Sequence, residues 1–141
     1  MAVLPPPSLQ TTEDPAEARK RRPWSDKFRV AFRGIKLGVR GHSSFAVHFF
    51  FSALVLATAV VLGCGPIEWC ILLGAIGMVL AAELFNSAIE TLFHGLDEDT
   101  KSRVWPCLDI AAGAVLLISL FAALIGAVVF IRQLAIIFYR P

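Results

Sequence analysis

The chain has 141 residues, 57% of them apolar and 17% charged, and a mean hydropathy of +0.70, which excludes a small compact water-soluble domain. A bilayer crossing takes about 20 apolar residues, so the length holds roughly three or four short-looped spans and no large soluble catalytic domain. The formal charge of +2 conceals an asymmetry, because nine of the thirteen Lys and Arg residues lie between Arg19 and Arg40. Beside apolar spans such a block marks a cytoplasmic flank and an anionic lipid surface rather than a nucleic-acid site, since no base-reading motif accompanies it.

Residues 1–24 read as a disordered tail: Pro5, Pro6, Pro7 and Pro15 stand among Glu13, Asp14 and Glu17, with no apolar run of the kind a cleavable signal peptide needs. The three cysteines, Cys64, Cys70 and Cys107, form no CxxC pair, which argues against a secreted disulfide framework and against thiolate metal chemistry.

From residue 25 to 41 a helical period appears. Phe28, Phe32, Ile35 and Val39 share an apolar face, Arg29, Arg33, Lys36 and Arg40 repeat at the same spacing on a polar one, and Ser25-Asp26 is a candidate N-cap. This is a basic amphipathic helix suited to the plane of the interface. A first span is expected over about 45–62, with His48 as its one ionisable residue, followed by the uncharged turn Gly63-Cys64-Gly65-Pro66. The second runs over about 67–93, with Glu68 and Trp69 at its outer mouth.

Residues 94–108 carry Asp97, Glu98, Asp99, Lys101 and Arg103 and read as a solvent-facing loop with room for a short helical turn. A third span is expected over about 109–131, leaving an apolar tail from Arg132 at the interface. The distribution of Lys and Arg places the N-terminus and the second loop in the cytoplasm, and the C-terminus on the other side. The domain organisation is thus a tail over 1–24 and one integral membrane domain over 25–141.

The second span carries the chemistry. Glu83, Asn86, Ser87 and Glu90 stand at i, i+3, i+4 and i+7 and share one helical face. Two carboxylates and an amide are costly in hydrocarbon, so they must face protein or trapped water and are functional candidates by default. Glu83 and Glu90 are separated by about 10 Å along the axis, too far to hold one ion together, and suit different ends of one reaction. Asp109 can approach the Glu90 level from the third span. Purely structural roles exist for each: Asn86 and Ser87 as interhelical glue, Glu90 snorkelling to water, and Asp109 as a helix N-cap.

The run Ala82-Glu83-Leu84-Phe85-Asn86-Ser87-Ala88-Ile89-Glu90, followed after a polar loop by Asp109-Ile110-Ala111-Ala112-Gly113-Ala114-Val115-Leu116, resembles the prokaryotic diacylglycerol kinase and undecaprenol kinase family. Phe28-x-x-Ala31-Phe32-x-Gly34-Ile35 resembles that family's surface helix, and Ile67-Glu68-Trp69 the entry to its second span. The resemblance implies an all-α fold with an N-terminal amphipathic helix and three transmembrane helices, assembled as a homotrimer in the bacterial inner membrane. It also implies transfer of the γ-phosphoryl of MgATP to a lipid hydroxyl, with Mg2+ as the cofactor.

By the same resemblance Glu83 is the general base and Glu90 a magnesium ligand, while Asn86, Glu90 and Asp109 form the nucleotide wall. Two departures bear on these roles. His42 stands where the family has an acidic magnesium ligand, and Leu108 where it has a basic residue, so that Arg33, Lys36 or Arg103 would have to contact phosphate instead. His94 also replaces a common Asp. The three histidines are too scattered for a zinc site. A non-catalytic paralogue acting as an assembly or regulatory subunit is the rival from another class, and a proton-relaying transporter a second.

Overall fold

A computed structural model describes residues 23–41 and 44–139. His42 and nearly all of the proline-rich tail lie outside the described residues. Five helices follow one another: α1 (Trp24–Gly41), α2 (Ser44–Val61), α3 (Pro66–His94), α4 (Glu98–Val104) and α5 (Pro106–Tyr139), with no strand among the described residues. The chain divides at Gly34 and Ile35 into two units.

The first unit contributes the start of α1. The helix begins at Trp24, so Ser25 is not its cap. The carbonyl of Pro23 accepts from the Asp26 N–H at 3.0 Å instead, and Asp26 pairs with Arg29 one turn on. Phe28 and Phe32 are 63% and 71% exposed.

The second unit holds the last turns of α1 and the three long helices. α2, α3 and α5 are each long and apolar enough to cross a membrane, with mean hydropathies of 2.1, 1.9 and 2.9 over their best windows. Exposed Phe50, Phe85, Leu116, Leu124 and Val128 cover their outer faces, as hydrocarbon rather than water requires. This is an all-α membrane protein.

Hydroxyls inside α2 are satisfied within the helix, Ser52 donating to the His48 carbonyl at 2.7 Å and Thr58 to that of Leu54 at 2.8 Å. The chain then reverses through Gly63, whose φ of +63° is a left-handed conformation that favours glycine. Gly65 and Pro66 start α3, the proline occupying the first turn, where its missing N–H costs nothing.

α3 packs most extensively on α5 and less on α2. Near the turn, Ala59, Leu72 and Val129 are buried against Val55, Trp69 and Phe130. Arg132 reaches Glu68 at 2.6 Å, and the Gln133 amide donates to the carbonyls of Leu62 and Gly63 at 3.0 and 3.2 Å.

These contacts explain the largest correction to the sequence reading. The apolar tail after Arg132 is not a separate interfacial segment, because α5 continues to Tyr139 over 34 residues. No glycine or proline interrupts it after Gly126, and Arg132 and Gln133 anchor it to the turn. Its start also differs, since Pro106 opens the helix and the Leu108 N–H bonds the Trp105 carbonyl at 3.0 Å. Asp109 therefore lies inside the first turn and is not an N-cap. The loop expected over residues 94–108 contains α4, capped by Asp97, which accepts from the Thr100 N–H at 3.0 Å. At 29 residues α3 is about 44 Å long, longer than a hydrocarbon core of about 30 Å, so its Glu90 end has room to reach the headgroup level.

Candidate active site

The polar stripe of α3 turns inward. Glu83, Asn86 and Ser87 are 2%, 8% and 1% exposed, and they are the buried polar side chains among the described residues. Glu90, two turns from Glu83, is half-buried.

Two side chains of α2 meet Glu83. Ser44 Oγ donates to Oε1, and His48 Nε2 stands 3.7 Å from Oε2. On the next turn of α3, Asn86 Nδ2 donates to Glu90 Oε1 at 2.8 Å. That bond orients the amide so that its Oδ1, like Ser87 Oγ, is buried without a hydrogen-bond partner among the described residues. An orphaned carbonyl oxygen beside a carboxylate is a pair of hard donors aimed at a position that a cation or a polar substrate group would satisfy.

The other residues singled out in the sequence are not gathered into this cluster. Asp109 and Arg103 are exposed, and Arg103 directs its Nε to the Asp99 carbonyl at 3.4 Å. Lys36 is exposed on the last turns of α1, and Arg33 is exposed in the first unit. Among the described residues no three His, Cys, Asp or Glu side chains converge as a metal cluster. Within the second unit a close approach brings the last turns of α1 to α3, since a Cβ on Gly38 would stand 2.7 Å from Leu84 Cδ2.

Ser44 and His48 are the site residues that sequence reasoning passed over. A signal was present: reflected through the Gly63–Cys64 midpoint of the α2–α3 hairpin, Glu83 falls on Ser44, one turn before His48. An imidazole in an apolar span is itself a functional candidate. His48 also lines an apolar groove of about 480 Å³ between α2, α3 and α5, which runs past Ser52 and Ser119 to Phe130. Outside the spans, the hydrogen bonds from Thr100 hold the Asp97 carboxyl below the usual aspartate range, and burial, then the Glu68 carboxylate, pushes the Cys64 thiol up.

A buried carboxylate, a second carboxylate two turns away and an adjacent amide, on the middle helix of three membrane spans, form an uncommon constellation. The family described as prokaryotic diacylglycerol kinase matches residues 29–130. The chain belongs to that family. The prokaryotic diacylglycerol kinases are membrane lipid kinases, and residues 29–130 include every described residue of the cluster. The chain is 30% identical over 104 residues to the undecaprenol kinase of Bacillus subtilis (strain 168), an alignment covering 74% of this chain and 85% of that protein. No solved structure matches.

Proposed function

We propose that this lipid kinase transfers the γ-phosphoryl of ATP to the hydroxyl of a long-chain membrane alcohol, undecaprenol or diacylglycerol, with Glu83 as the general base. The observation that carries the reading is the buried Glu83 carboxylate, which accepts from the Ser44 hydroxyl of α2 and stands one turn before the Asn86–Glu90 pair on α3. Phosphoryl transfer asks little covalent chemistry of a protein. It needs the two oxygens placed in line, charge stabilised on the phosphates, and an acceptor for the nucleophile's proton.

In the transfer step the lipid O–H bond breaks and its proton passes to Glu83. The lipid oxygen bonds the γ-phosphorus, and the bond from that phosphorus to the β-phosphate oxygen breaks to release ADP. Undecaprenol is the first acceptor to test, given the name of the relative. A single-hydroxyl lipid suits a lone buried carboxylate whose neighbour His48 lines an apolar groove.

Magnesium fits the donors present: Glu90 offers a carboxylate and Asn86 an unpartnered carbonyl oxygen, and this ion is commonly held by one or two protein oxygens with substrate phosphates completing its shell. When bound it would neutralise charge developing on the phosphate oxygens. Asn86, Glu90 and Asp109 make the nucleotide-facing side in this reading, and Arg33, Lys36 and Arg103 supply basic groups for phosphate. A homotrimer in the bacterial inner membrane, with the N-terminus and α4 cytoplasmic, follows from the same reading and from the basic flank.

The test is phosphate transfer from MgATP to undecaprenol and, separately, to diacylglycerol in mixed micelles, comparing the intact chain with Glu83→Gln and Glu90→Gln. Transfer to either lipid that both substitutions abolish supports the kinase and names its acceptor. Folded protein that transfers phosphate to neither lipid across a range of magnesium would instead favour a non-catalytic paralogue.

A further inference from the structure

The apolar groove between α2, α3 and α5 leads away from the Glu83 cluster. Its α3 wall is the stripe Leu72, Ile76 and Val79, and Glu83 stands one turn further along that same face. The α2 wall includes His48, one turn from Ser44, whose hydroxyl donates to Glu83. On α5, Ala122, Ala123, Gly126 and Ala127 are too small to fill the space opposite, which leaves a groove of about 480 Å³.

Two hydroxyls line the groove, Ser52 and Ser119. Ser52 donates to the His48 carbonyl at 2.7 Å, as Thr58 and Thr91 donate to those of Leu54 and Ser87 at 2.8 and 2.7 Å, the usual recourse of a hydroxyl in an apolar helix. Ser119 does not. Its Oγ is buried without a hydrogen-bond partner among the described residues, which leaves an O–H donor in apolar surroundings, where a partner is worth most.

The helix register gives the depth of that donor. Glu68 stands opposite Arg132, and Leu72 is buried with Val129. Antiparallel α3 and α5 therefore set Ser119 level with Ala81, about 3 Å along the axis from Glu83 towards the Gly63 turn.

We propose that Ser119 is a specificity-determining residue, its hydroxyl donating to an ester carbonyl of the acceptor while the acceptor's own hydroxyl meets Glu83. The inference rests on Glu83 lying beside the transferred hydroxyl. The ligand class is an acylglycerol. In diacylglycerol an ester is borne on the carbon next to the one that carries the hydroxyl, so its carbonyl oxygen lies a few bonds from the transferred group, on the way to the chains that the groove receives. A polyprenol has no second polar atom. In the same groove it leaves the Ser119 donor unpaired and forgoes one hydrogen bond, a disadvantage of about 3- to 10-fold.

Two readouts on the full-length protein, in a detergent without ester groups, test this. The first is kcat/KM for transfer from MgATP to diacylglycerol and to the matching dialkylglycerol, an ether lipid with the same chains and hydroxyl but no carbonyl. The native protein should prefer the ester, and Ser119→Ala should cut that ratio by about 3- to 10-fold. The second is the infrared ester C=O stretch of carbonyl-labelled diacylglycerol bound without ATP. A hydrogen-bonded component at lower frequency should be present with the native protein and lost with Ser119→Ala.

A ratio unmoved by Ser119→Ala, including a loss shared equally by both lipids, overturns the proposal and leaves Ser119 a packing residue. Transfer to undecaprenol with none to either glycerol lipid overturns it as well, with the kinase reading intact. If folded native protein phosphorylates no lipid, the kinase reading fails separately. The infrared band still decides whether Ser119 holds an ester, and identical spectra from the two proteins show that it does not.

Discussion

Asn86 Nδ2 donates to Glu90 Oε1 at 2.8 Å, one turn apart on α3. The bond fixes the carboxylate and aims the amide's other atom, Oδ1, into a buried position without a partner among the described residues. Removing the amide takes one hydrogen bond from Glu90 and deletes the second oxygen. Asn86→Ala should raise the magnesium concentration needed for half-maximal transfer by about 10- to 100-fold, the usual consequence of losing support beside a metal ligand. A magnesium titration at saturating ATP checks it, and an unchanged midpoint would remove Asn86 from the metal's surroundings.

At the opposite end of the bundle, Arg132 and Gln133 tie α5 to the α2–α3 turn. The ion pair of the exposed Arg132 with Glu68 is screened by solvent and contributes little. Gln133 serves two carbonyls of the turn that follows α2, so Gln133→Leu should cost about 0.5–1.5 kcal/mol. Thermal unfolding in detergent should therefore rank Gln133→Leu well below Arg132→Gln. Residual kinase activity per folded molecule should be unchanged in both, since neither residue touches the Glu83 cluster.

Gly63 adopts φ +63° with open space where a Cβ would stand. Substitution there meets backbone strain and no clash. Gly63→Ala should lower stability by about 1–2 kcal/mol, and Gly63→Asn by less, because asparagine enters the left-handed region more readily. Equal melting temperatures for the two variants would contradict this.

Gly38 differs, because its Cβ would meet the tip of Leu84 at 2.7 Å. A leucine methyl can swing away, and alanine gains about 0.5–1 kcal/mol of helix propensity over glycine. Gly38→Ala should thus be near neutral in thermal unfolding. Gly38→Leu has no such escape and should push the last turns of α1 away from α3, read as a lower melting temperature than that of Gly38→Ala.

Asp97 caps α4 through the Thr100 N–H, which lowers its pKa below the usual aspartate range. A carboxyl whose folded value is depressed contributes stability above its unfolded value and loses it as pH falls through the folded one. The protection factor of the Thr100 amide should therefore hold from neutral pH into the acidic range and fall only below the ordinary aspartate pKa. Asp97→Ala should show fast exchange throughout.

Much of this organisation is legible in the residues themselves. Runs of apolar residues about 18 or more long can only be buried in lipid, so the three spans and the turn at Gly63–Pro66 follow from hydropathy and turn chemistry. The face shared by Glu83, Asn86, Ser87 and Glu90 follows from helical periodicity alone. The end of α5 does not, because an apolar tail after Arg132 is compatible with either a break or a continuation. Its anchors, Glu68 and the carbonyls of Leu62 and Gly63, lie more than sixty residues away.

The partners of Glu83 belong to the same class. Sequence spacing determines which residues of one helix share a face, because the helix repeat is fixed. Which residues of α2 look back at that face depends on how two helices are rotated and slid against each other, which their packing sets. The hairpin spacing brings the start of α2 level with Glu83, but that Ser44 and His48 are the residues that face it is decided by the packing of the two helices.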